Sequence, residues 1–210
     1  MFQNGFPYAL KDEVTKVVGL MADKTYNNVT IDVSEDIIQY HQDHEVIMFP
    51  YRIYYMDNSN DFTKDLSEQQ KMILHCIYSR SCEGFVRQKH MHLLLQMDYG
   101  DWTIPYIVKI CDEYVVEIVE MTYNILKDQD TERIKNFCSE NRESFCKSYN
   151  RMISYWNEYY RHEYTNFHHY VGRKLFRECF GYSKSMARKN KFGLWSITSS
   201  LTGQSLKIKH

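Results

Sequence analysis

Apolar residues recur at helical spacing through most of the chain, and little interrupts them. Only 3 Pro and 8 Gly occur in 210 residues. So few breakers favour long continuous elements, of which helices are the simplest case. Hydrophobic residues make up 43% of the chain and charged residues 25%, a globular balance. A chain of this length can bury most of its unfolded surface in a core. The expected class is therefore mainly α.

The first 65 residues depart from that pattern and read as a small mixed region. Leu10, Val14, Val17, Val18 and Met21 share one helical face after Pro7, which predicts a first amphipathic helix. Val29, Ile31 and Val33 alternate with polar residues and suit a short strand. Ser34 is a candidate cap for a short helix carrying Ile37, Ile38 and His41. Residues 46–55 are β-branched and aromatic around Pro50, which suits an extended edge segment.

From Ser67 the spacing turns helical and stays so. Ser67 is placed to cap a helix with Met72, Ile73, Cys76 and Ile77 on one face. A second helix after Ser81 carries Val86, His90, Leu93, Leu94 and Met97. A third has Pro105 in its first turn and Ile104, Ile107, Val108 and Cys111 on its apolar side. A fourth holds Val115, Ile118, Val119, Thr122 and Leu126.

Glu83-Gly-Phe-Val86-Arg87 opens the second of these helices, and Asp112-Glu-Tyr-Val115-Val116 opens the fourth, 29 residues on. An acid, two spacers and a Val at this place resembles the HEAT-repeat signature, in which the acid caps the helix and the Val packs inward. The second copy has Val116 where the first has Arg87, and the offset is shorter than the usual HEAT period. The resemblance covers residues 67–127. It implies antiparallel helical hairpins stacked as a right-handed α-α superhelix. It also implies a non-enzymatic scaffold that grips a protein partner and needs no cofactor. The segment also looks like bacterial helical proteins of unassigned activity.

Two repeats are too few to stand alone. Residues 130–180 supply capping helices, through Ile134, Phe137 and Cys138, then Phe145, Tyr149, Met152, Ile153, Trp156 and Tyr160, then Phe167, Val171, Leu175 and Cys179. Gly181 stops the last of them. The expected organisation is one helical domain over 1–180 and a basic tail over 181–210.

Charge is unevenly placed along this plan. The net charge is −1, yet from Arg173 onward there are nine Lys or Arg against Glu178 alone. Arg173, Lys174, Arg177, Lys184, Arg188, Lys189 and Lys191, with Trp195 among them, suit nucleic acid through phosphate contact and base stacking. The same charge could dock on the acidic body of the chain or on a neighbouring subunit.

Other constellations are weaker. Arg161-His162 and His168 resemble the Arg-to-His spacing of HEPN ribonucleases, which implies Arg161 and His168 as a catalytic pair on RNA. The Tyr and Phe residues around them favour an aromatic cluster instead. His41-x-x-His44 would share a face on a helix and could begin a metal site. His90 falls on an apolar stripe and suits a hydrogen-bonded core histidine. Arg52, Arg80, Arg87 and Lys89 could line one face, with Glu83, Asp112, Glu113, Glu117 and Glu120 to neutralise them in a solvated mixture. The six cysteines include no C-x-x-C and read as reduced structural thiols. No apolar run approaches the ~20 residues of a membrane span, and no signal peptide is evident. The cytoplasm is the expected location.

Overall fold

A computed structural model describes residues 2–188, except 24, 27, 28 and 31. Lys189, Lys191 and Trp195 lie outside the described residues.

The chain begins with two single 3-10 turns, Phe2–Gly5 and Tyr8–Leu10, and then α1 (Lys11–Val18). Leu10, Val14 and Val17 are buried on its inner face, as their spacing predicts. Three two-stranded antiparallel ladders follow. β1 (Ala22–Asp23) pairs with β6 (Tyr55–Met56), β2 (Thr25–Tyr26) with β3 (Val29–Thr30), and β4 (Ile37–Gln42) with β5 (Glu45–Pro50).

β4 replaces the short helix expected after Ser34, and β5 lies in the extended segment expected around Pro50. Ile38, Tyr40 and Gln42 turn inward while Ile37, Gln39 and His41 are exposed, a period of two rather than 3.6. The turn is Asp43-His44, and both residues have positive φ, 48° and 67°. A two-residue hairpin loop of the tightest kind needs positive φ at both positions, and Asp and His tolerate it better than most side chains. Ser34 does not cap a helix. Its hydroxyl accepts the Arg52 N–H at 2.9 Å.

β4 is an edge strand, and its outer side is met at one point by a side chain. His41 N–H donates to Asn141 Oδ1, and Asn141 Nδ2 donates to the His41 carbonyl, both at 2.7 Å. Pro50 ends β5 opposite Ile37, the edge position a proline tolerates.

The helices carry the rest. After α2 (Ser59–Phe62) and the turn Thr63–Asp65 come α3 (Glu68–Tyr78) and α4 (Gly84–Leu95). Ser67 and Gln70 form a reciprocal capping box at the start of α3, which satisfies two orphan N–H groups. α5 (Ile104–Ile110) begins with Pro105 in its first turn, and all seven of its residues are buried. A helix apolar on nearly every side belongs in the middle of a core. α6 (Val116–Leu126), α7 (Glu132–Glu140) and α8 (Arg142–Tyr155) follow. α8 runs on into a π turn at Trp156–Tyr160, and α9 (Val171–Lys174) into another at Leu175–Cys179. α10 (Lys184–Arg188) closes the described chain.

α3 packs on α4 as a hairpin across residues 79–83, α4 packs on α6, and α6 on α9. α5 packs on α7, and α7 on α8. Glu83 stands at the N-cap of α4 without a side-chain bond to the helix start. Asp112 does not open α6. It lies beyond the end of α5, and Val115 is the N-cap residue. The two acids of the repeat-like pattern therefore occupy different places on their helices.

An aromatic seam ties the N-terminal region to the helices. Phe49 stacks on Tyr106 with centroids 4.2 Å apart, and Phe6 stacks on the same ring at 5.3 Å. Tyr40 meets Phe137 at 5.3 Å. One hydrophobic cluster runs from Phe6 to Phe180. No helix among the described residues is long and apolar enough to cross a membrane.

Candidate nucleic-acid interface

Gly181 sets the geometry at the end of the helical body. Its φ is +72°, the left-handed conformation that glycine adopts without penalty. The reversal sends Tyr182 back onto α8, where its ring stacks on Tyr149 at 3.5 Å and 15°. Tyr182 N–H also donates to the Phe176 carbonyl at 2.8 Å. The first residues of the expected tail are thus docked on the body.

This docking leaves a cleft of about 600 Å³. Arg173, Arg177, Lys184 and His168 line it, with Tyr149, Phe167 and Tyr182 as its aromatic surface. No carboxylate is among its described lining residues. The Arg173 guanidinium lies 5.8 Å from the Phe167 ring centre, within cation–π range. Burial pushes the Tyr149 hydroxyl up, against the pull of Arg173 and Arg177. Arg177, Lys184 and His168 are exposed, so the cations face water.

Three of the basic residues predicted from sequence meet in this cleft. Lys174 is half-buried on α9 and does not line it. Arg188 ends α10. The ribonuclease-like pair is divided: His168 lines the cleft, whereas Arg161 is exposed and reaches back to Asn157 at 3.4 Å. Around them lies the aromatic packing that their neighbours predict. Trp156 meets Phe167 at 4.8 Å and Tyr160 stacks on Tyr170 at 5.9 Å.

His41 and His44 do not share a helix face. His41 sits on the exposed side of β4 and His44 in the turn, because the segment has strand rather than helix period. Among the described residues no group of three or more His, Cys, Asp or Glu could hold a metal ion. All six cysteines are free.

His90 is fully buried and bonds His75, Nδ1 to Nδ1, at 2.9 Å. Its Nε2 lies 3.3 Å from Asp57 Oδ1. Burial pushes His75 down to about 3 and lowers His90 as well, the latter against the charge of Asp57.

A second basic group was legible only as a solvated mixture, and the structure corrects that reading. Arg80, Arg87 and Glu113 are each 1% exposed. Ile53 exchanges backbone hydrogen bonds with Arg80 and Cys82, which lays residues 51–53 against the α3–α4 connection. Glu113 then accepts from Arg52 Nη2 at 2.8 Å and from Arg87 Nη2 at 3.2 Å. Arg80 Nη2 is 3.7 Å from the other Glu113 oxygen and donates instead to the Tyr51 carbonyl at 2.8 Å. Asp112 accepts from Lys109 with both oxygens, from Ser148, and from Arg151 at 3.4 Å. Arg52, Arg80, Lys109 and Arg151 all lie within 5.8 Å of the Tyr51 ring centre. Burial lowers Lys109 to about 8 and Arg80 to about 10, in each case against the pull of a neighbouring carboxylate. Lys89 takes no part and pairs with Asp57 at 2.8 Å. The signal available in sequence was Lys109 inside the apolar run 104–111, followed at once by two acids.

Compared with protein-family models, curated proteins and solved structures, the chain matches none.

Proposed function

We propose that the chain binds single-stranded nucleic acid in the cleft between α8, α9 and α10. One observation carries this: Arg173, Arg177 and Lys184 meet Tyr149, Phe167 and Tyr182 in a single opening. Cations track a phosphate backbone and ring faces accept bases of any sequence, with stacking contributing ~1–3 kcal/mol per base. Three phosphate contacts give a slope of log affinity on log salt of about −2. Lys189, Lys191 and Trp195 continue the same composition along the chain.

Fluorescence anisotropy with a labelled oligonucleotide tests it. The double variant R173E/R177E is expected to lose tenfold or more in affinity, and the wild-type affinity to fall as salt rises. Binding that ignores salt, or survives the double variant, overturns the proposal. The proposal rests on binding alone: His168 lines the cleft and Arg161 does not.

A second reading treats α3 to α6 as HEAT-like hairpins that grip a protein. It is favoured by Phe85, which is 89% exposed on the first turn of α4, and by Tyr114, 50% exposed near the start of α6. On this reading Phe85→Ser abolishes co-purification of a protein partner and leaves oligonucleotide binding unchanged. Retention of the partner by that variant sinks it.

A further inference from the structure

The cluster around Tyr51 holds more positive charge than its own acids can balance. Five cations, Arg52, Arg80, Arg87, Lys109 and Arg151, share two carboxylates, Glu113 and Asp112. Asp36, on the opening beside Tyr51 and Arg151, adds one more acid nearby. Donors outnumber acceptors as well: among the described residues Arg80 Nε and Nη1 and Arg87 Nε are buried without a hydrogen-bond partner, against one such oxygen of the cluster, Glu113 Oε1. Buried cations ordinarily come paired, because water no longer solvates them.

The cluster opens to solvent in one place that suits an anion. A cavity of about 200 Å³ lies between β4, α5 and α8. Lys109, Lys147 and Arg151 bring three cations to it, and Ser144 brings a hydroxyl, the proton of the neighbouring Ser148 being already donated to Asp112. Among its described lining residues Asp112 is the one acid, and that carboxylate is already engaged by Lys109, Ser148 and Arg151. Lys147 also pairs with Glu143, on a face where both side chains are more than 70% exposed. Ile37, Ile38, Gln39 and Tyr40 of β4 complete the lining. Ammonium, guanidinium and hydroxyl donors around a small space are the chemistry that recognises phosphate oxygens.

We propose that this cavity binds a small dianion of the phosphate class, either inorganic phosphate or the phosphoryl group of a small metabolite. Its charge supplies what the cluster lacks, next to Lys109 and Arg151. The site is separate from the nucleic-acid cleft and shares no lining residue with it.

Thermal unfolding of the full chain with inorganic phosphate against chloride at equal ionic strength tests it. Phosphate is expected to raise Tm by roughly 5 °C at a hundredfold excess over its dissociation constant. The variant R151Q/K147Q, changed at two partly exposed side chains, is expected to fold and to lose that rise. R173E/R177E is expected to keep it. Titration calorimetry on the wild type should give one phosphate per chain. A rise no greater than with chloride overturns the proposal, and so does a rise that R151Q/K147Q retains. A rise lost in R173E/R177E alone places the phosphate in the cleft and also overturns it. A phosphorylated sugar in a further arm separates the two sources: binding tighter than inorganic phosphate points to the metabolite.

Discussion

The cleft and the Tyr51 cluster are both basic, yet they hold their charge by opposite means. In the cleft, Arg177 and Lys184 stand in water, where solvent and salt screen them and no partner is needed. In the cluster, Arg80 and Arg87 have lost their water, and each must be answered by a carboxylate, a carbonyl or a ring. Position on the helix decides which regime applies. Lys109 belongs to α5, whose residues are all buried, so its ammonium stays inside. Arg177 follows Phe176 on a segment with one wet face. The lesson is that counting cations along a sequence says nothing of their worth until burial is known.

The largest expected effect tests the buried side of that contrast. Glu113→Gln removes the charge on which Arg52, Arg80 and Arg87 converge. Breaking a buried pair from one side costs about 3–5 kcal/mol, and here three cations lose their partner together. Urea unfolding should show a loss of that size. A loss below ~1 kcal/mol would mean the cluster is solvated after all, and the comparison fails.

Acid sharpens the same contrast through histidine. His75 and His90 have folded-state pKa values below the unfolded value, which lies near 6.5. Above that pH both states are neutral and pH has no effect through them. As pH falls below about 6.5 the unfolded chain takes up protons that the folded chain refuses, so stability drops. For His75 the drop continues toward pH 3, at up to about 1.4 kcal/mol per pH unit. The unfolding midpoint measured at pH 7.5 and pH 5 should differ, and the difference should shrink in His75→Gln. An unchanged difference refutes the role given to His75.

The smallest effect belongs to the surface. Arg177→Gln should change stability by no more than about 0.5 kcal/mol while weakening oligonucleotide binding. If it destabilises the chain as Glu113→Gln does, the cleft is not the solvent-held site described.

The helices were legible because their apolar faces repeat over several turns. Ser67 as a cap, Pro105 in a first turn and Gly181 as a stop were read from local chemistry alone. β5 lies in the extended segment expected around Pro50, whereas β4 was missed because Ile37-Ile38 and His41 also fit a helical spacing, and Asp43-His44 is an uncommon pair for such a turn. Of the site, Arg173, Arg177 and Lys184 came from charge bias, which needs no fold to see. Tyr149 and Tyr182 could not come from it, since only the reversal at Gly181 brings them together. The Tyr51 cluster joins residues 51 and 151 across the molecule, and no local pattern marks such a meeting.

The amide of Asn141 has a consequence for how the hairpin is assembled. It offers one acceptor and one donor to a single residue, His41, as a third strand would. In an antiparallel pair only every second residue turns both backbone groups outward. A slip of one position would point those of His41 toward β5 and leave Asn141 facing nothing. The amide at the α7–α8 junction therefore proofreads the register of β4 against β5, and it occupies the spot where a stray strand from another chain would begin to pair.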